Sequence, residues 1–74
     1  MTKTDRVHAA GVEAYERGDV DIFWAVFTAL KTEGVKPVFA AGTAREYAFM
    51  ITRGYWYKSG PIPAREILAT WFNE

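Results

Sequence analysis

His8 is the only histidine in the chain, Ser59 the only serine, and there is no cysteine. General acid-base catalysis needs a histidine, or two carboxylates held in unlike environments around a pocket. His8 sits beside Ala9 and Ala10 with no serine near it in sequence, and reads as a helix residue without a catalytic role. Asp5, Asp19 and Asp21 stand where helix-terminus residues belong, while Glu13 and Glu16 fit the solvated face of a helix. Ser59 falls in Lys58-Ser59-Gly60-Pro61, a turn sequence, and no oxyanion site accompanies it. Gly42, Gly54 and Gly60 are isolated, without the spacing that cradles a phosphate, and no Cys/His cluster is present to hold zinc. No catalytic, cofactor-binding or metal-binding residue is therefore assigned, and an enzyme is not expected.

Recognition chemistry is better represented. The chain carries five Phe, four Tyr and three Trp among 74 residues. Burying all twelve rings at about 200 Å² each would take roughly a third of everything so small a chain can bury. Some rings are therefore expected at the surface, where Trp, Tyr and Arg dominate binding energetics. Trp24, Phe49 and the run Tyr55-Trp56-Tyr57, flanked by Arg45 and Arg53, form the candidate protein-binding set. Formal net charge is zero, which weighs against a polyanionic partner. The middle is nevertheless mildly basic: Lys31 to Arg65 holds six basic and two acidic residues. There Arg45, Arg53, Lys58 and Arg65 interleave with Tyr47, Tyr55, Trp56 and Tyr57, so nucleic-acid binding is the alternative, weakened by the neutral total.

These residues must be positioned by helices. The first is expected from about Thr4 to Arg17, capped by Thr2 or Thr4 and stopped by Gly18, with a thin inner stripe of Val7, Gly11, Ala14 and Tyr15 that should pack closely through its small residues. The second starts after Asp19 or Asp21 and ends at Gly34, with Ile22, Phe23, Val26, Phe27 and Leu30 on its core face. At about 100° per residue Trp24 projects roughly 130° from the centre of that stripe. Val38-Phe39-Ala40-Ala41, after Pro37, reads equally as one helical turn or a short extended piece. Thr43-Ala44-Arg45-Glu46 fits a capping box opening a third helix that closes at Gly54. Its inner face would be Ala44, Tyr47, Ala48, Met50 and Ile51, with Phe49 opposite, between Arg45 and Arg53. The last helix has Pro63 at its first position and Ala64, Ile67, Leu68 and Trp71 on one face, with Phe72 at its edge.

The expected fold is all-α, one domain over residues 1–74, a bundle of about four short helices, with a minimal two-stranded ribbon at residues 37–40 and 55–57 if both pieces are extended. A chain of 8.4 kDa supports one core. Without disulfides or zinc, association is the remaining route to added stability, so a homodimer is expected. No apolar run approaches a signal sequence or a membrane span, which points to the cytoplasm and to no membrane partner. A short frame starting at Met1 suits an adaptor or inhibitor of a cellular protein, of the kind bacteria and their phages encode.

Overall fold

A computed structural model describes residues 1–18, 21–53 and 64–74, and among these four helices form a small all-α bundle. Helix α1 spans Lys3–Glu16. Thr2 caps it in a reciprocal box: the Asp5 amide donates to the Thr2 hydroxyl at 3.0 Å and the Thr2 amide donates to the Asp5 carboxylate at 3.2 Å. Beyond it Gly18 takes φ 76°, the left-handed stop its residue type permits at no steric cost. Helix α2, Ile22–Thr32, is capped by Asp21, whose side chain accepts from the Trp24 amide. Its end is a left-handed turn at Gly34 (φ 94°), where the Gly34 amide reaches the Lys31 carbonyl and the Val35 amide reaches that of Leu30.

The third helix differs from the expectation. Helix α3 runs unbroken over Pro37–Thr52, so residues 37–40 are its first turn and contribute no strand. The ribbon is not supported; its other half, residues 55–57, lies outside the described residues. The cause is local. Lys36 is extended (φ −65°, ψ 144°), as a residue before proline prefers, and Pro37 at the first helical position has no amide to leave unpaired. Gly42 has no positive φ and does not interrupt the helix, and Thr43, expected as a cap, is buried inside it. Helix α4 is Arg65–Phe72; the expected start at Pro63 lies outside the described residues.

Helix α2 packs on α1 and α3, and α4 closes the bundle against the same two helices. The core is built from Val7, Ala14, Ile22, Val26, Leu30, Ala40, Ala44, Tyr47, Ile51, Ala64 and Leu68. Small residues bring α1 close to α3: Gly11 is buried, and an added Cβ there would stand 2.4 Å from Cε1 of Tyr47. The Tyr47 hydroxyl reaches past this point to the His8 carbonyl, donating at 3.3 Å. Tyr15, expected on the inner stripe, is 39% exposed instead, and Thr4 takes a buried place one turn before Val7. Phe23 and Phe27 lie at the core's edge, as do Ala48 and Met50.

The chain ends are tied together. A left-handed turn at Asn73 (φ 57°) follows α4, and Glu74 then accepts from the Thr4 amide at 2.9 Å and the Thr4 hydroxyl at 2.6 Å. The carboxylate thus satisfies an amide in the first turn of α1, which favours a negative charge. Arg6 grips Glu33 with two nitrogens at 2.6 and 2.9 Å, joining α1 to the end of α2. Arg65 reaches Asp5 at 2.9 Å, joining α4 to α1.

Candidate functional site

Of the nine described aromatic rings only Tyr47 is fully buried. Trp24 is 57% exposed, Phe49 54%, Phe39 51% and Trp71 42%. The reason is geometric. Four short helices meet along aliphatic and alanine positions, with Tyr47 the largest side chain at the centre, and leave no room there for a second large ring.

Apart from Tyr15, the exposed rings fall into three groups. On α2, Trp24 packs on Phe27 at 5.3 Å between ring centroids, Phe27 stacks on Phe23 at 5.7 Å, and the Lys31 ammonium lies 5.1 Å from the Phe27 ring. On α3, the Arg53 guanidinium covers the Phe49 ring at 4.3 Å, a cation-π contact. Across α3 and α4, Phe39 and Trp71 pair at 5.6 Å. Trp71 also lines an open groove of about 440 Å³ with Thr43, Glu46, Ile67 and Thr70.

Trp24 and Phe49, expected at the surface by helical phase, are exposed, and Arg45 and Arg53 share the solvent side of α3 with Phe49. Among the described residues no ring contact links Trp24 to Phe49, so the two are separate groups and not one cluster. Tyr55, Trp56 and Tyr57 lie outside the described residues. Trp71, expected on the inner face of α4, is a correction. It sits in the last turn of α4 and stays 42% exposed, with Phe39 of α3 as a ring partner. Sequence reasoning also missed Val38 and Phe39, 73% and 51% exposed. Pro37 was the available signal, since reading it as the first helical residue would have placed both in a first turn.

Charge sorts the arginines. Among the described residues Arg6, Arg17 and Arg65 pair with Glu33, Glu13 and Asp5, whereas Arg45 and Arg53 have no carboxylate partner. Arg65, named with the basic residues of the middle, is thus engaged within the fold. Hydrogen bonds from Arg65 and from Thr2 hold the Asp5 carboxyl well below the usual carboxylate range, at about 2.

His8 serves structure. Its Nδ1 and the Tyr47 hydroxyl share a hydrogen bond of 2.8 Å, and the rings meet edge to face at 5.9 Å. Burial lowers its pKa, Arg65 adds to that and Asp5 opposes it. Burial likewise pushes the Tyr47 hydroxyl up, far from any titration near neutrality. A histidine whose folded pKa lies below its unfolded value of about 6.5 contributes stability that is fully present above pH 6.5 and is lost as pH falls through the folded value. Urea midpoints are expected to decline from about pH 7 to about pH 5, and His8→Gln to flatten that decline. An unchanged pH slope in the variant would show that other groups carry it. The lowered carboxyls of Asp5, Glu33 and Glu74 act in a separate, more acidic window.

Among the described residues no three His, Cys, Asp or Glu side chains gather as a metal site requires, and no helix is long and apolar enough to cross a membrane. No protein-family model, curated protein or solved structure matches this chain.

Proposed function

We propose that this chain is a non-enzymatic binding module that acts on another protein, as an adaptor or inhibitor, through aromatic and arginine residues left at its surface. One observation carries the reading: Trp24 and Phe49 stay more than half exposed around a core filled by aliphatic and alanine side chains and Tyr47. Exposed rings are costly in water and profitable at an interface, where each brings large contact area for little loss of rotamer freedom. Arg45 and Arg53, free of carboxylates among the described residues, add polar anchors beside Phe49. Tyr55, Trp56 and Tyr57 belong to the same proposal by sequence. Self-association is part of it too, through the Trp24 or the Phe39 and Trp71 group, because a symmetric copy would cover the same rings.

The test is capture of partners from a bacterial lysate by the full chain and by Trp24→Ala and Phe49→Ala variants. Both variants are expected to keep the helical circular-dichroism spectrum and to lose a specific protein by about tenfold or more, as removal of a ring at the centre of an interface does. Capture that is indifferent to both changes would remove these rings from the function. Retention on single-stranded DNA that falls steeply with salt would favour nucleic acid instead. Light scattering reads the self-association, and a mass of one chain at high concentration would refute it.

A further inference from the structure

The outward face of α3 carries Val38, Gly42, Arg45, Phe49 and Arg53 within an arc of roughly 80°, at about 100° per residue, with Glu46 bordering it about 20° beyond Arg53. All five are exposed. Gly42 is the unexplained member. A glycine inside a helix is destabilising relative to alanine, because it loses more backbone freedom on folding. Nothing among the described residues asks for it, since its φ is not positive and an added Cβ there would meet none of their atoms within 4 Å. Gly11 is the contrast: there the missing Cβ makes room for Tyr47. What remains for Gly42 is room for something outside the molecule.

We infer that this face receives an acidic amphipathic helix of a partner protein, its backbone crossing close at Gly42 and its carboxylates meeting Arg45 and Arg53. The inference rests on the protein-binding reading above and deepens it. Charge complementarity selects the occupant: the arginines without a carboxylate among the described residues are the two on this face. They stand eight residues apart, about 12 Å along the axis, which matches carboxylates seven or eight residues apart on a facing helix with apolar residues between them for Phe49 and Val38. A second copy docked by two-fold symmetry would set arginine against arginine, and like charges brought together in an interface are strongly unfavourable. A nucleic-acid strand would use the arginines, but it has no use for an apolar end at Val38, 73% exposed.

The probe is a displayed library of amphipathic helical peptides, selected on the full-length chain. Enriched peptides are expected to carry Asp or Glu seven or eight residues apart around an apolar centre. Their affinity should fall about tenfold or more on Gly42→Leu, and again on the pair Arg45→Glu and Arg53→Glu, and should survive Trp24→Ala. Folding does not confound the test, because Gly42→Ala is expected to raise the melting temperature by several degrees. Peptides of neutral or basic consensus, or peptides indifferent to Gly42 and the arginines, would overturn this inference and leave protein binding standing. A library that yields no binder also overturns it, and if single-stranded DNA is then held through Arg45 and Arg53, the protein-binding reading falls as well.

Discussion

Gly11→Ala is expected to destabilise the fold by about 1–3 kcal/mol, the range for forcing an extra carbon into a packed core. The new Cβ would fall 2.4 Å from Cε1, 2.6 Å from the hydroxyl oxygen and 2.8 Å from Cζ of Tyr47. That ring cannot step aside cheaply. It is fully buried, and its hydroxyl is fixed by the His8 carbonyl at 3.3 Å and the His8 ring at 2.8 Å. Relief would have to come from parting α1 from α3, which also breaks the His8 contact. Alanine's better helix propensity returns only about 1 kcal/mol, so the clash decides the sign. Urea denaturation should show the midpoint falling with the slope unchanged, the signature of lost stability without a change in the surface exposed. Gly11→Ala combined with Tyr47→Leu should recover part of the loss, because the obstructing ring is then gone. A Gly11→Ala variant as stable as the parent would show that the helices do not approach as closely as described.

Leu30→Ala should cost about 2–5 kcal/mol, the usual range for truncating a buried leucine. Leu30 is fully buried on α2, the helix that packs on both α1 and α3. For a 74-residue chain whose total stability is expected at about 4–11 kcal/mol, that loss takes a large share and brings the variant near unfolding at body temperature. Trp24 on the same helix is the control. Its side chain is larger, yet it is 57% exposed, and Trp24→Ala should cost about 0.5 kcal/mol or less in thermal or urea unfolding. Equal losses at the two positions would mean that Trp24 supports the core, and the proposed binding role of that ring would lose its basis.

Much of the fold was legible because it depends on neighbours in sequence. Thr2 with Asp5, Asp21, Gly18 and Gly34 mark ends of α1 and α2 through hydrogen bonds and φ values that involve residues no more than five apart. The spacing of Ile22, Val26 and Leu30 sets the buried side of α2, and the same phase argument leaves Trp24 outside. The stretch at Pro37 stayed open between a helical turn and an extended piece because two local signals compete there: proline opens a helix, while Thr43 to Glu46 imitates the opening of another. The proline signal prevails: Lys36 is the cap, and Thr43, 9% exposed, lies inside the helix.

The candidate surface was legible by half. Phe49 between Arg45 and Arg53 follows from i, i+4 spacing alone. Trp71 does not, because phase tells which way a side chain points and says nothing of how much of it the neighbouring helix covers: beside Phe39 and Thr43 of α3 it stays 42% exposed. The bond from Glu74 to Thr4 spans nearly the whole chain, and the Arg65 to Asp5 pair most of it, so neither had a sequence signal.

By itself the sequence determined a mainly helical fold with an excess of rings, since helix period, caps and side-chain volume are properties of residues and their immediate neighbours. Only the tertiary structure decided, among the described residues, which rings stay outside, that one internal glycine makes room for Tyr47 while another faces open space, and which arginines have no carboxylate partner. Those outcomes depend on distances between helices, and such distances are set when all the packing contacts are satisfied together.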